Sequence, residues 1–253
     1  MIRTPAVPAP GSAGSPGTRG GNLSRHGVDV WQMDLRLAGS DAGRLAGYLS
    51  DDERERAGRF HFEEDRMRAI LVRGTLRELL GEYAAMHPRE LRFVYGHNGK
   101  PRLENGSRSD ITFNLSHSGS IAVFAVSRNR LVGIDVERIR PDLQAEQIAG
   151  RMFAPGEITV LRSAHPLERM DLFFQYWTRK EAFVKVTGDG ISFPLDHCDV
   201  SGSDGGRLAP VTLLDHQSGP IRWYVQDLPA DRGYAAAIAV EGCDWSLSYR
   251  RIP

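Results

Sequence analysis

The segment that most constrains this chain is residues 177–191, which read WTRKEAFVKVTGDGI. Phe173, Trp177 and Val184 recur at helical spacing, which predicts a helix that begins near Glu168 and buries one apolar stripe. Glycines at positions 188 and 190 follow the stripe, and glycines just beyond a last helical turn commonly end a helix. The segment is therefore predicted to be a core helix of the fold.

Acidic residues on this helix and on an upstream strand form a candidate metal site. Glu181 and Lys185 are four residues apart and share a helix face, which by itself suggests only a surface ion pair. Upstream, residues 133–137 (GIDVE) alternate apolar and acidic types, so Asp135 and Glu137 point to the same side of a strand. Two carboxylates from a strand and one from a helix are the ligands that a hard divalent cation prefers.

The N-terminal segment, residues 1–27, consists mostly of Pro, Gly, Ser and Ala and has no acidic residue. This composition predicts a disordered tail, with an organellar transit peptide as the alternative that its basic character leaves open. No apolar run in the chain reaches the length of a signal peptide or of a membrane span, so a membrane partner is not expected.

Composition and charge favour an ordinary soluble protein. With 41% hydrophobic and 25% charged residues, the chain is typical of globular domains. Its 32 basic residues balance 32 acidic ones, so the chain has no net positive charge that would favour binding to nucleic acid. Cys198 and Cys243 are too few for a disulfide framework and too far apart for a metal site, which favours a reducing cytoplasm.

The pattern of elements predicts an α+β fold. The first half is expected to contain a strand at 28–35, helices at 41–49, 51–59 and 64–85, and strands at 91–95, 111–115, 121–127 and 131–137. The last three are predicted to form an antiparallel meander. Helices at 143–151, 155–163 and from 168, then strands at 197–200, 208–214, 221–226, 234–240 and 245–249, make up the second half. Because helices precede strands in each half, we expect two α+β halves, at 28–130 and 131–253, rather than a doubly wound sheet.

Two basic or polar regions are candidates for phosphate binding. Seven arginines lie between residues 54 and 77, and a solvated helix face explains most of them. One or two could instead clamp a phosphate, because guanidinium matches phosphate oxygens. The loop at 116–119 (SHSG) offers backbone amides, two hydroxyls and an imidazole to an anion, although His117 could equally be an ordinary loop histidine.

Three motifs together carry a resemblance to a known family. Residues 113–118 (FNLSHS), 133–137 (GIDVE) and 177–185 (WTRKEAFVK) resemble the signature motifs of Sfp-type 4′-phosphopantetheinyl transferases, in the family's order and spacing. Residues 99–101 (GKP) resemble a weaker fourth motif. The resemblance covers roughly residues 45–195. It implies a pseudo-twofold arrangement of two similar α+β halves, with coenzyme A bound in the cleft between them.

The resemblance also implies a reaction. The phosphopantetheine arm would move from coenzyme A to a serine of an apo acyl or peptidyl carrier protein, releasing adenosine 3′,5′-bisphosphate. Asp135, Glu137 and Glu181 would hold Mg²⁺, with Mn²⁺ able to substitute. The ion would polarise the pyrophosphate, and Lys185 would reach the same pyrophosphate and protonate the leaving oxygen.

Further residues are assigned to coenzyme A by resemblance alone. His117 would bind chiefly the 3′-phosphate, and Arg56 and Arg68 lie in the segment where the family keeps basic phosphate ligands. Glu53 departs from the family pattern, because a lysine often stands near this position. The remaining residues assigned to coenzyme A are Lys100, Pro101, Ser116, Asp135, Lys180 and Lys185.

Glu157 matches a glutamate that serves as general base in some relatives. Two alternatives stay open for the serine proton. Glu157 could be only a first-turn helix acid that interacts with the helix dipole. A water bound to the metal could then act as the base.

Two other classes of function remain possible at this point. A metal-dependent nuclease usually places an acid-x-lysine pair on a strand, which residues 135–138 (DVER) do not supply. A non-catalytic module that binds coenzyme A or a carrier is the second class. The resemblance implies a monomer that acts on polyketide or peptide synthetase carriers, with fatty-acid carriers also possible. Such a carrier would meet exposed apolar residues near Phe153 and Leu161, together with some arginines.

Overall fold

The computed structural model describes residues 23–96, 99–104, 110–188, 193–202, 207–214 and 222–253. Most of the predicted tail, the middle of the predicted turn at 96–101 and the glycine at 190 lie outside these ranges. The helices of the described part are α1 (Ala42–Ala46), α2 (Asp51–Gly58), α3 (Glu63–Ala84), α4 (Ala145–Met152), α5 (Pro155–Ser163) and α6 (Arg169–Thr187).

The strands of the described part fall into two larger sheets and two short pairs. They are β1 (Gly27–Asp34), β2 (Phe93–Tyr95), β3 (Pro101–Leu103), β4 (Ile111–Ser118), β5 (Ile121–Arg128), β6 (Val132–Arg138), β7 (Cys198–Asp199), β8 (Ala209–Pro210), β9 (Thr212–Leu213), β10 (Trp223–Asp227), β11 (Tyr234–Glu241) and β12 (Ser246–Ile252). The predicted helix at 41–49 is thus shorter than expected, and the predicted strand at 208–214 is divided into β8 and β9.

The two larger sheets repeat one pairing order. The first runs β12-β1-β5-β4 and the second runs β6-β11-β10-β8. In the first sheet, β1 pairs antiparallel with β5, and β5 pairs antiparallel with β4. In the second sheet, β6 pairs antiparallel with β11, and β11 pairs antiparallel with β10. A long helix packs on each sheet, α3 on the first and α6 on the second. This arrangement confirms the predicted α+β fold of two similar halves.

Alternating side chains of the strands fill three apolar layers. Along β5, Ala122 and Phe124 face α3, whereas Ile121 and Val123 face the second sheet. Ile134 of β6 belongs to that same central layer between the sheets. The order from one side of the molecule to the other is therefore helix, sheet, sheet, helix.

The predicted meander of three strands is wrong in its last member. β4 and β5 pair antiparallel as expected, but β6 pairs with β11 in the other sheet. The reason is geometric, because β5 already hydrogen-bonds β1 on one edge and β4 on the other. No edge of β5 is left for a third neighbour.

The two halves are interlocked by the end of the chain. β12 pairs parallel with β1, so residues 246–252 complete the first sheet although they follow the second half in sequence. The boundary between the two halves at residue 130 stays a prediction. The pairing of β12 with β1 joins residues from both sides of that boundary. No helix of the described residues combines the length and the apolar character that crossing a membrane requires.

Candidate functional site

The candidate metal ligands lie where β6 contacts α6. Gly133 makes this contact possible, because a Cβ at this position would overlap the carbonyl oxygen of Ala182 and lie 2.5 Å from the nitrogen of Val186. Side chains alternate along a strand, so Gly133, Asp135 and Glu137 share the face of β6 that meets the helix. The missing side chain lets the two backbones approach closely and brings Asp135 and Glu137 towards α6.

Asp135 is the most buried of the acidic residues at this site, with 3% of its surface exposed. Its Oδ1 accepts a hydrogen bond of 2.8 Å from the Ser116 hydroxyl and forms an ion pair of 2.6 Å with Lys185 Nζ. Lys185 also donates to Ser116 Oγ at 2.8 Å. Asp135, Ser116 and Lys185 thus form a closed triangle that links β6, β4 and α6.

The three carboxylates lie close enough to affect one another. Burial raises the pKa of Asp135 even though Lys185 and Ser116 oppose the shift. Burial and the negative charge of Asp135 likewise raise the pKa of both Glu137 and Glu181. Repulsion among carboxylates in a poorly solvated place is relieved when a cation joins them.

The two oxygens of the Asp135 carboxylate differ in their partners. Asp135 Oδ2 is buried and has no hydrogen-bond partner, whereas Oδ1 has two. A buried carboxylate oxygen without a partner is costly unless something else satisfies it. Within the described ranges, no group of three or more His, Cys, Asp or Glu side chains is arranged to hold a metal ion.

The predicted 3′-phosphate ligand lies beside this cluster. His117 is exposed and occupies the position on β4 that follows Ser116. Loss of solvation where the imidazole meets neighbouring protein atoms, together with the positive charges of Arg68 and Lys185, lowers the pKa of His117. Arg68 is also held to its own helix by Glu64 at 2.9 Å and by Asp65 at 2.7 Å. Arg68 and Lys185 therefore lie near enough to His117 for their charges to act on its imidazole.

Lys100 reaches the same helix end from another direction. Its Nζ donates to the carbonyl oxygens of Lys185 at 2.5 Å and Val186 at 3.3 Å. Burial lowers the pKa of Lys100 to about 8, while carbonyls at a helix C-terminus favour the charged ammonium. Lys100 is thus tied to the backbone of α6, and Pro101 beside it pairs with Tyr95 in the small β2–β3 hairpin.

Arg56 lies on α2, where it pairs with Asp52 at 3.5 Å. Its guanidinium stacks over the Tyr95 ring at 4.7 Å. Glu53, where the family often has lysine, is buried and accepts hydrogen bonds of 2.5 Å from both Arg73 and Arg77. In this chain Glu53 therefore joins α2 to α3, and it offers no cation to a phosphate.

Two predicted site residues do not lie at the site. Lys180 and Glu157 form an ion pair of 2.8 Å, and both side chains are 0% exposed. Glu157 also accepts the N–H groups of Ala154 and Val200, each at 2.8 Å. The predictions of Glu157 as general base and of Lys180 as phosphate ligand disagree with this geometry, because neither group can meet a substrate from inside the core.

Lys180 is fixed by further contacts in the second half. It donates to the carbonyl oxygens of Leu195, at 2.8 Å, and Cys198. The expected carrier surface near Phe153 and Leu161 also needs correction, because both side chains are buried in the core around α6. The exposed apolar residue of that neighbourhood is Val160.

Sequence reasoning did not assign two polar residues of β4 that contact β6. Asn114 Oδ1 accepts the N–H of Ile134 at 2.9 Å, and the Ser118 hydroxyl donates to Glu137 Oε2 at 2.7 Å. The signal was present in the alternation of Asn114, Ser116 and Ser118, which places the three side chains on one side of the strand. The predicted strand ends at residue 115, with 116–119 predicted as a loop, whereas β4 continues to Ser118, so the alternation is visible only in the structure.

Known proteins match both halves of the chain. A family model described as the 4′-phosphopantetheinyl transferase superfamily matches residues 131–239, and one described as 4′-phosphopantetheinyl transferase, N-terminal, matches residues 40–129. The 4′-phosphopantetheinyl transferase HetI of Nostoc sp. is 39% identical over 88% of this chain and 91% of its own length. Sfp of Bacillus subtilis is 30% identical over 84% of this chain and 91% of its own length. The crystal structure of Thermotoga maritima holo-[acyl-carrier-protein] synthase overlaps 44% of this chain and 62% of that chain at 21% identity, with a TM-score of 0.35.

Proposed function

The chain belongs to the 4′-phosphopantetheinyl transferase superfamily, and from this membership we propose that Asp135, Glu137 and Glu181 bind the divalent cation that serves its reaction. As an enzyme of the Sfp type, it transfers 4′-phosphopantetheine from coenzyme A to carrier proteins. The acceptor in this proposal is a serine of an apo carrier domain, and the product released is adenosine 3′,5′-bisphosphate.

The single observation that carries the metal proposal is Asp135 Oδ2. This oxygen is buried and unpartnered, in a place where burial raises the pKa of all three carboxylates and neighbouring acids add to the shift at Glu137 and Glu181. Mg²⁺ accepts carboxylate oxygens as ligands, and Mn²⁺ binds the same type of donor. The chemistry that such an ion supplies is neutralisation of negative charge at the pyrophosphate.

Lys185 is proposed to act on the leaving group. Asp135 and Ser116 hold its ammonium at 2.6 and 2.8 Å, so the side chain is oriented before any substrate binds. A positioned ammonium offsets charge on the phosphate oxygen that leaves with adenosine 3′,5′-bisphosphate and donates a proton to it. Phosphoryl-type transfer depends on such positioning more than on covalent help from the protein.

His117, with Arg68 behind it, is proposed to bind the 3′-phosphate. The two side chains form a basic neighbourhood next to Lys185, and a phosphate dianion gains charge-assisted hydrogen bonds there. Lys100 and Arg56 have other partners in this structure. They are therefore proposed as ligands of coenzyme A only if those contacts are exchanged on binding.

Two observations support the proposal that the protein is a monomer in the cytoplasm. β4, β6 and α6 of one chain together supply His117, the three proposed metal ligands and Lys185. Cys198 and Cys243 are both free thiols, which fits a reducing compartment. The Sfp-type resemblance suggests carriers of polyketide and nonribosomal peptide synthesis as its acceptors.

A mass assay with metal control tests this proposal. The protein is incubated with coenzyme A, Mg²⁺ and an apo peptidyl or acyl carrier, and the carrier mass is followed with and without EDTA. Asp135→Asn, Glu137→Gln and Glu181→Gln should each lower transfer by at least ~10²-fold, because several kcal/mol of charge stabilisation are lost. The matched control is Glu146→Gln, which removes a surface acid that pairs with Arg169. Folded site variants with wild-type rates at low Mg²⁺ would refute the ligand assignment.

A further inference from the structure

Two edge strands lie side by side without a backbone ladder between them. β4 is the last strand of the first sheet and β6 is the first strand of the second. They pack closely against each other, yet across the described residues the backbone pairing of β4 is with β5 and that of β6 is with β11. Exposed N–H groups on such edges need other partners.

Side chains of β4 supply those partners. Asn114 Oδ1 accepts the N–H of Ile134 at 2.9 Å, and Ser118 Oγ accepts the N–H of Arg138 at 3.1 Å. Both contacts join residues 20 positions apart in sequence, so the two strands run in the same direction along this seam. We refer to these contacts between β4 and β6 as the β4–β6 seam.

The same seam holds two of the proposed metal ligands. The Ser116 hydroxyl donates to Asp135 Oδ1 at 2.8 Å, and the Ser118 hydroxyl donates to Glu137 Oε2 at 2.7 Å. Ser118 therefore uses both functions of its hydroxyl, since it accepts from the Arg138 backbone and donates to the Glu137 side chain. Because the backbone N–H of Arg138 holds Ser118 Oγ, the hydroxyl has a fixed direction in which to donate its hydrogen bond to Glu137.

We propose that Ser118 is a positioning residue that orients the Glu137 carboxylate for binding a divalent cation, an inference that rests on the proposed metal site. A glutamate side chain has three rotatable bonds, and holding it in one orientation costs conformational entropy. A hydroxyl anchored to the backbone restricts that side chain before the ion arrives. Groups that hydrogen-bond a metal-binding carboxylate in this way commonly change metal affinity by 10- to 100-fold.

Ser118 is a better test of the seam than Ser116. Ser116 contacts Lys185 as well as Asp135, so its loss would disturb the proposed leaving-group residue at the same time. Ser118 contacts Glu137 and the Arg138 backbone, and the family resemblance assigned it no part in coenzyme A binding. An effect of Ser118 on metal affinity would therefore act through Glu137.

The experiment measures Mn²⁺ binding to the full chain without coenzyme A, by electron paramagnetic resonance of free Mn²⁺. Ser118→Ala should raise the Mn²⁺ dissociation constant by about 10-fold, and Ser118→Thr, which keeps the hydroxyl, should restore it. Ser120→Ala is the control, because its hydroxyl lies in the same hairpin but contacts Tyr234 at 3.2 Å and not a carboxylate. Circular dichroism and thermal unfolding establish that each variant is folded.

Each outcome decides between the two proposals. Weakened binding in Ser118→Ala alone, with rescue by threonine, supports the positioning role. Wild-type affinity in Ser118→Ala, or equal weakening in Ser120→Ala, overturns that role while leaving the metal site intact, provided that Asp135→Asn abolishes binding. If wild type and Asp135→Asn bind Mn²⁺ alike, the proposed metal site is itself wrong and the role of Ser118 falls with it.

Discussion

Gly133 on β6 lies directly against the backbone of Ala182 on α6, with no room for a side chain between them. Asp135 is two residues after Gly133, and Glu181 immediately precedes Ala182. The close approach of the two backbones therefore brings an acid of the strand and an acid of the helix together. The fold builds the proposed metal site at the point where strand and helix come closest.

Gly133→Ala is expected to destabilise the protein and to separate the carboxylates. The added Cβ would overlap the Ala182 carbonyl oxygen and lie 3.1 Å from the carbonyl carbon of Lys185, and backbone atoms can move only with the whole helix. We expect a loss of about 1–3 kcal/mol in unfolding free energy, as for other overpacked cores, and weaker Mn²⁺ binding. Urea unfolding and Mn²⁺ titration measure the two effects.

The matched control for Gly133→Ala is Gly150→Ala. Gly150 lies inside α4, and a Cβ there would meet nothing within 4 Å. Alanine in an open helix interior should stabilise the protein by about 0.5–1 kcal/mol. If Gly133→Ala proves as stable as wild type, the strand and helix are not as tightly apposed as described.

His117→Ala should reduce the preference for coenzyme A over 3′-dephospho-coenzyme A. Loss of a charge-assisted contact is expected to remove about 1.5–3 kcal/mol of this discrimination. Binding of both ligands by calorimetry gives the preference directly. The control is His165→Ala, since His165 precedes the N-terminal end of α6 whereas Lys185 lies near its C-terminal end. An unchanged preference in His117→Ala would show that this histidine does not read the phosphate.

The approach of β6 to α6 is an expectation from the chemistry of their acidic residues, whereas the helix of residues 169–187 and the α+β class are predicted from the sequence pattern alone. Local periodicity is sufficient for these features, because they depend on which faces are apolar. The partner of β6 could not be predicted locally. It depends on β1 occupying the free edge of β5, and β1 in turn pairs with β12 from the far end of the chain.

The burial of Lys180 could have been predicted from the helix itself. Positions 173, 177, 180 and 184 follow the spacing of one helix face, so Lys180 falls on the apolar stripe and not on the face of Glu181. The family resemblance instead implies a phosphate contact for Lys180. Glu157, the partner of Lys180, could not be identified from spacing, because the contact joins two helices that are separate in sequence.

Stability should depend on pH through Lys100. The pKa of Lys100 in the folded protein, about 8, lies below the 10.5 of a lysine in an unfolded chain, so the unfolded chain binds the proton more tightly. The cost of burying the ammonium is fully present below pH 8 and is relieved as the pH rises towards 10.5. We expect Lys100→Met to remove a rise in unfolding free energy on the order of 1–2 kcal/mol between pH 7 and 9.5.

Urea unfolding of wild type and Lys100→Met at several pH values measures this difference. Other groups that titrate in the same interval contribute equally to both proteins and cancel in the comparison. Parallel pH profiles for the two proteins would mean that the carbonyls of Lys185 and Val186 keep the ammonium charged at no net cost. The pKa of Lys100 would then not be lowered.

Glu157→Gln separates a buried structural role from general-base catalysis. The substitution leaves the Lys180 ammonium in the core without its counter-charge, and breaking one half of a buried ion pair typically costs about 3–5 kcal/mol. The double variant Glu157→Gln, Lys180→Met removes the stranded charge. We therefore expect it to be less destabilised than the sum of the two single variants, a coupling that a double-mutant cycle measures.

Turnover per folded molecule should stay within a few-fold of wild type in the double variant. A general base would give a different result, because its loss lowers turnover by about 10²–10⁴-fold however well the protein folds. A stable double variant with such a deficit, and with unchanged Mn²⁺ affinity, would return Glu157 to the active site and require the core around it to open during catalysis.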